Sequence, residues 1–198
     1  MLQKCVYIPV VENTPLSEER GVLTLELKNE LYKSIFIHRN GKKRTMVSNL
    51  YIDKNLKHLK GFKGTFLCDN IPFWGSNDRK MFIVNLSEEN KKGSHFVFIE
   101  IEKDKALYLD PLGKNLSNSF IKKSLVINGC KKITYLSKPV QSVFSTSCGL
   151  FCILFTVARV KNIPPLKMLS FFSNTNLLKN DKSIPSILKK IKKYKKND

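Results

Sequence analysis

Residues 140–160 read VQSVFSTSCGLFCILFTVARV, and this stretch decides the fold. Its first part, up to Ser147, is rich in small hydroxyl residues, which is typical of a loop. From Cys148 onward the residues are apolar on nearly every side of a helix, which indicates a helix buried in the middle of the domain. Cys148 is the first residue of that helix, where free N–H groups and the helix dipole favour a thiolate. Cys152 lies one turn further on and fits an ordinary core cysteine.

The patterns on either side of this stretch predict the remaining elements. Three β-rich runs separated by charged turns predict strands over residues 80–86, 94–101 and 106–110. A further strand is predicted at 132–136, helices at 48–59 and 116–125, and a loop at 61–75, where glycine and proline recur. Prolines predict the starts of two more helices, one over 164–172 and one beginning near Ser183. The fold class is therefore α+β, with a mixed central β-sheet packed on the buried helix that starts at Cys148.

Length and composition limit the possible domain organisation and cellular location of the chain. The chain has 198 residues, of which 42% are hydrophobic, so it can bury a core of its own. We predict an N-terminal extension over residues 1–47, with a small β element, and one main domain over 48–198. Because no apolar run approaches the ~20 residues of a membrane helix, no membrane association is expected. We find no secretory signal at the start of the sequence, so an intracellular location is expected.

The five cysteines do not form a metal or disulfide pattern. Their number is odd, they are scattered, and the sequence contains no CxxC. We therefore expect no metal site and no disulfide framework, which fits a reducing environment.

The net charge of +19 has two interpretations that the sequence leaves open. An excess of lysine attracts a polyanion such as double-stranded DNA. However, 30 of the 35 basic residues are lysine, which an AT-rich genome produces without any selection for DNA binding. The best candidate for a DNA-binding surface is the basic face of the last helix, which carries Lys189, Lys190, Lys192, Lys193, Lys195 and Lys196.

A nucleophilic cysteine needs a base, and the base needs a group that orients it. His38 and His58 lie in polar, basic surroundings, whereas His95 begins the most apolar predicted strand. Asp110 ends the next strand, so an antiparallel pairing of the two strands brings His95 and Asp110 together at one edge of the sheet. Gln141 precedes Cys148 by seven residues, and its amide can join the Cys148 N–H in stabilising an oxyanion.

The order His95, Asp110, Gln141, Cys148, with the run Cys-Gly-Leu-Phe-Cys, resembles the adenovirus-type cysteine protease (adenain) family, which has relatives in virophages and polinton/Maverick elements. The resemblance covers roughly residues 48–160. It implies a papain-like fold and a viral maturation protease that cleaves capsid and core precursor proteins at sites containing glycine. In that reaction Cys148 attacks, His95 transfers the proton, Asp110 orients the imidazole and Gln141 stabilises the oxyanion.

The resemblance also implies substrate contacts and partners. Gly93 and Ser94 belong to the motif around His95, and Gly149 lets the substrate approach the backbone closely. The aromatic loop with Phe66 and Trp74 either walls a narrow glycine pocket or simply packs against the core. Members of the family require no cofactor for the chemistry but can be activated by DNA and by a short peptide joined through a disulfide, for which Cys130 is the candidate. We expect a monomer located in the virus factory or the nucleus of the host cell and packaged in the virion.

Two other functions remain open at this stage. One is a protease for ubiquitin-like protein conjugates, which shares the same order of catalytic residues. The other is a basic DNA-packaging protein without catalysis, which explains the charge but not the cysteine at the helix start with its histidine and glutamine.

Overall fold

The computed structural model describes residues 47–75, 78–89 and 95–193, and for residues 190–193 it describes the backbone. The helices are α1 (Asn49–Leu56), α2 (Ser119–Ile127), α3 (Cys148–Val160), α4 (Pro165–Leu169) and α5 (Leu177–Lys193), and the strands are β1 (Phe62–Leu67), β2 (Lys80–Asn85), β3 (Phe96–Glu102), β4 (Lys105–Leu109) and β5 (Lys132–Tyr135). The predicted small β element lies in the extension that precedes Val47, outside the described residues. None of the described helices is both long enough and apolar enough to cross a bilayer.

The strands form one five-stranded sheet in the order β1-β2-β3-β4-β5. The central pairs β2–β3 and β3–β4 are antiparallel, and the two edge pairs are parallel. Strands β3 and β4 are joined by a two-residue turn, in which Lys103 takes a positive φ of 56°. The predicted α+β class with a mixed sheet is therefore confirmed, and the hairpin brings the start of β3 next to the end of β4.

Helix α3 packs against one face of the sheet and forms the centre of the larger core. The side chains of Phe151, Cys152 and Phe155 are fully buried there, together with alternate residues of the strands, such as Ile83 and Phe98. A second core on the other face of the sheet is closed by α2. Since α3 is covered by the sheet on one side and by α1, α4 and α5 on the others, its apolar sequence on all sides has a physical explanation.

An ionic cluster holds the C-terminal end of α3. Arg159 donates to both carboxylate oxygens of the buried Glu100 on β3, at 2.6 and 3.1 Å. Arg79 also pairs with Glu100, and it donates to the carbonyl of Arg159 at 2.6 Å. These bonds fix the helix to the sheet at the end opposite to Cys148.

Two predictions of secondary structure were wrong. Residues 61–75 were expected to be a loop, but β1 lies within them and pairs in parallel with β2. The glycines that suggested a loop occur at positive φ, and Gly64 lies where the register of β1 shifts. Helix α5 begins at Leu177, before the expected Ser183, and Asn176 caps its first turn by accepting from the Lys179 N–H at 3.0 Å. Pro185 therefore lies inside the helix.

Candidate active site

The β3–β4 hairpin brings together the two residues that the sequence predicted to meet. His95 immediately precedes β3 and Asp110 immediately follows β4. The Nε2 atom of His95 lies 2.7 Å from Oδ1 of Asp110, and the Asp110 side chain is only 1% exposed. The Leu112 N–H donates to the same Oδ1 at 2.7 Å, which fixes the carboxylate. An immobile carboxylate of this kind orients the imidazole and leaves Nδ1 as the ring nitrogen free to exchange a proton.

Cys148 completes the cluster from the other side. It is the first residue of α3, is only 8% exposed, and lines the same cleft as His95, close enough for its sulfur to raise the pKa of that imidazole. The N-cap residue Ser147 makes no side-chain capping bond within the described part of the chain. The Leu150 N–H donates to the Ser147 carbonyl at 2.9 Å, so the N–H groups of Cys148 and Gly149 are the ones at the helix start that can stabilise an anion next to the thiol.

The electrostatics of the cluster favour a protonated imidazole. Burial alone would lower the pKa of His95, but hydrogen bonds and charges from Asp110 and Cys148 outweigh the burial and raise this pKa to about 9. A positive imidazolium beside a sulfur at a helix N-terminus is the environment that makes a cysteine nucleophilic.

Gln141, the predicted oxyanion donor, lies in the same cleft as Cys148. Its side chain is 2% exposed and lines the same cleft as His95 and Cys148. One N–H of its Nε2 donates to the carbonyl of Ser145 at 2.8 Å, which fixes the amide plane and leaves its second N–H for a ligand. The hydroxyl residues of the preceding loop bond to one another, as in the 2.9 Å contact between the Oγ atoms of Ser145 and Ser147.

The cleft around these residues has a volume of about 790 Å³. One of its walls was not predicted from the sequence. Val47 and Leu50 line it, and Leu50 is 82% exposed. Gly149 is the reason that this segment fits, because a Cβ at Gly149 would lie 2.7 Å from Cγ1 of Val47. Gly149 therefore allows Val47 of the same chain to pack closely against α3, and its contact with a substrate stays a prediction. No signal in the sequence links Val47 to Gly149, 102 positions away.

The aromatic loop does not wall the cleft as the described residues define it. Phe66 and Trp74 pack with Phe82, at ring-centroid distances of 6.2 and 4.9 Å, in the core on the other face of the sheet. The prediction that these two residues contact substrate was therefore wrong, and the alternative of a packed loop is what the structure shows. The apolar loop residues are explained by the second core. Gly93 and Ser94 lie outside the described residues.

The remaining cysteines differ from Cys148 in their surroundings. Cys152 is fully buried, and burial raises its pKa well above the usual value. Cys130 lies between α2 and β5, and burial is the main cause that raises its pKa to about 11. Both thiols are therefore poor nucleophiles at neutral pH.

The predicted basic face lies partly in the described structure. Lys189 is exposed on α5, and Lys190, Lys192 and Lys193 belong to the same helix. Lys195 and Lys196 lie outside the described residues.

Two further residues on α5 contact the loop that carries Gln141, and neither was predicted from the sequence. Asn180 donates to the Val140 carbonyl at 3.0 Å, and Asp181 accepts from the Ser142 N–H at 3.1 Å. The only hint in the sequence is two polar residues in succession on a lysine-rich helix, and nothing there specifies a partner 39 or 40 positions away.

Comparison with known proteins identifies relatives of the chain. Residues 62–193 match the family model described as adenovirus endoprotease. The chain is 30% identical over 126 residues to a protease of ovine adenovirus D serotype 7, covering 57% of this chain and 60% of that protein. It is 32% identical over 124 residues to a protease of bovine adenovirus 4, covering 52% and 62%. Each match thus spans less than two thirds of the relative. A solved ASFV protease is similar with a TM-score of 0.48 and 14% identity, covering 70% of this chain and 66% of that one.

Proposed function

Because this chain belongs to the adenovirus endoprotease family, we propose that it is a cysteine endopeptidase acting on viral proteins. The observation that carries the proposal is the convergence of three side chains from separate elements. The 2.7 Å contact between His95 and Asp110, and the position of Cys148 beside them in the same cleft, provide the nucleophile, base and orienting group that acyl transfer requires.

In the first half of the reaction Cys148, His95 and Gln141 act on the substrate, and Asp110 orients His95. The Cys148 sulfur attacks the carbonyl carbon of the scissile peptide, and the thiol proton is held by His95. The Cys148 N–H and the Gln141 amide stabilise the oxyanion of the tetrahedral intermediate. When the C–N bond breaks, His95 donates its proton to the leaving amine, and the acyl group remains on sulfur as a thioester.

The second half reverses the proton transfer. With the amine product gone, His95 accepts a proton from a water molecule, whose oxygen attacks the thioester carbonyl. The same donors stabilise the second oxyanion, and its collapse releases the carboxylic acid and restores the Cys148 sulfur. Asp110 keeps the imidazole in one orientation through both halves, as the carboxylate of a catalytic triad does.

We propose capsid and core precursor proteins, cut at sites containing glycine, as the substrates. The cleft supports an extended peptide with an apolar residue, because its exposed rim includes Leu50 and Val143, which are 82% and 72% exposed. Such side chains gain free energy by covering an apolar residue of a ligand. Glycine near the scissile bond would allow the substrate backbone to come close to Cys148, which is only 8% exposed.

A panel of fluorogenic substrates tests this assignment. We expect cleavage of peptides with an apolar residue followed by glycine, and a loss of roughly 100-fold when that glycine is replaced by valine, because a side chain in a narrow subsite must displace packed atoms. A ubiquitin-like fusion serves as the comparison substrate. Cleavage of that fusion but not of the peptides or of capsid precursors would assign the chain to ubiquitin-like conjugates instead, and no cleavage of any substrate would favour a non-enzymatic packaging protein.

Double-stranded DNA is the second partner that we propose, with a monomeric protein packaged in the virion from an intracellular assembly site. The net charge of +19 and the basic helix α5 support it. We expect the logarithm of the DNA association constant to fall linearly with the logarithm of salt concentration, with a slope of about −0.9 for each phosphate contacted. Fluorescence anisotropy over a salt series measures this slope, and a slope near zero would mean that the lysines reflect coding bias alone.

We also propose an activating peptide joined through a disulfide to Cys130. Cys130 is 9% exposed, and its pKa of about 11 leaves little thiolate at neutral pH. Disulfide exchange at this position therefore requires that α2 or β5 first move aside.

A further inference from the structure

Helix α5 holds the two peptide groups on either side of Gln141. The carbonyl of Val140 accepts from Asn180 Nδ2 at 3.0 Å, and the N–H of Ser142 donates to Asp181 Oδ2 at 3.1 Å. The carbonyl of Ser145, further along the same loop, fixes the Gln141 amide. Two consecutive residues of one helix thus determine the path of the backbone through Gln141.

Asn180 is itself held rigidly. It is 5% exposed, its Nδ2 also donates to the Ser173 carbonyl at 2.9 Å, and its Oδ1 accepts from the Ser173 N–H at 3.0 Å. Helix α5 is anchored in the main core by Ile184 and Leu188, both fully buried. A side chain with three hydrogen bonds on an anchored helix can position a loop.

The segment that follows β4 also holds this loop. The carbonyl of Pro111 accepts from the N–H groups of both Val140 and Gln141, each at 2.9 Å. Gln141 is therefore clamped between the residue next to Asp110 and helix α5. If the bonds to α5 are lost, the Pro111 carbonyl alone holds this part of the backbone.

We propose that Asn180 and Asp181 are positioning residues that hold the Gln141 amide in place to stabilise the oxyanion formed at Cys148. The proposal rests on the proposed function, since Gln141 has this role only when Cys148 attacks a carbonyl. A donor lowers the barrier only when it is already aimed at the oxyanion before the reaction, and a shift of about 1 Å can cost on the order of 100-fold in rate. The bonds to Asn180 and Asp181 provide that prior alignment.

The kinetic test compares substitutions at Asp181 in two backgrounds of the full chain. Asp181→Ala removes the acceptor of the Ser142 N–H and is expected to lower kcat roughly 10-fold with little change in KM. Asp181→Asn should recover most of the loss, because an amide oxygen still accepts that N–H. In a Gln141→Ala background, which should itself lower kcat roughly 10²- to 10³-fold, adding Asp181→Ala should change kcat less than about two-fold. Asn180→Ala is expected to behave as Asp181→Ala does.

Asn176→Ala is the control for a purely structural effect. Asn176 caps α5 but contacts neither Val140 nor Ser142 in the described structure, so its loss should lower the free energy of unfolding by about 1 kcal/mol with kcat unchanged. Hydrogen exchange supplies a readout that does not depend on activity. Asp181→Ala should speed exchange of the 140–145 segment while the amides of β3 keep their protection.

The outcomes separate this proposal from the proposed function. Asp181→Ala could lower kcat by the same factor whether residue 141 is glutamine or alanine. That result would show a general effect on stability and would overturn the positioning role. Unchanged kcat in Asp181→Ala would also overturn it, while cleavage by the wild-type chain would leave the peptidase function intact. A wild-type chain that cleaves no substrate and reacts with no thiol probe at Cys148 would overturn both.

Discussion

Replacing Cys148 with alanine is expected to reduce kcat/KM for peptide cleavage by about 10⁶-fold, the loss measured when a nucleophile is removed from a triad enzyme. The neighbouring thiol of Cys152 cannot take its place, because it is fully buried and its pKa is raised. The substitution removes one sulfur atom from a site at the edge of the core, so the fold should persist. Initial rates with a fluorogenic peptide, together with a thermal unfolding curve, measure both quantities.

Cys152→Ala is the matched control, since it removes a sulfur from the same helix one turn away. It should lower stability modestly and leave kcat/KM within a few fold of wild type, because the thiol of Cys152 points into the core and not into the cleft. Iodoacetamide near neutral pH should modify Cys148 first among the described cysteines, since it alone has the His95 imidazolium beside it. Cleavage by Cys148→Ala at a rate near wild type, or equal labelling of all cysteines, would contradict the mechanism.

Local patterns in the sequence predicted the parts of the site that lie on regular elements. Helix α3 begins and ends at Cys148 and Val160 as expected, because an uninterrupted apolar run allows only one placement. His95 and Asp110 could be paired in advance because a two-residue turn between strands fixes the register: each lies at the outer end of its strand. The prediction of their contact therefore needed no long-range information.

Contacts between distant segments could not be predicted in the same way. The packing of Val47 on Gly149 and the bonds from α5 to the Gln141 loop depend on how the core brings remote elements together. Strand β1 was missed because its glycines favour a turn when considered locally, whereas pairing with β2 decides its conformation. The aromatic residues Phe66 and Trp74 were placed at the cleft because the sequence does not specify which face of the sheet a loop covers.

His95→Ala is expected to lower kcat/KM roughly 10⁴-fold, because the variant has no group to carry the proton from the thiol to the leaving amine. It should also slow iodoacetamide labelling of Cys148, which loses the neighbouring imidazolium. His58→Ala is the control, since His58 is exposed on a different part of the fold and should leave activity unchanged. Retention of activity in His95→Ala would contradict the assignment of the base.

The pH dependence tests the same residue independently of its removal. The pKa of His95 is raised to about 9, so in wild type kcat/KM should decline as the pH rises through about 9, when the imidazolium that protonates the leaving amine is lost.

The raised pKa also means that folding stabilises the charged imidazole. That stabilisation is complete below pH 6.5, the usual pKa, and is lost as the pH rises to about 9. His95→Gln keeps a hydrogen-bond donor for Asp110 but cannot titrate. The difference in unfolding free energy between wild type and His95→Gln, measured by urea titration, should therefore shrink across this interval, and a constant difference would show that His95 is not charged in the folded protein.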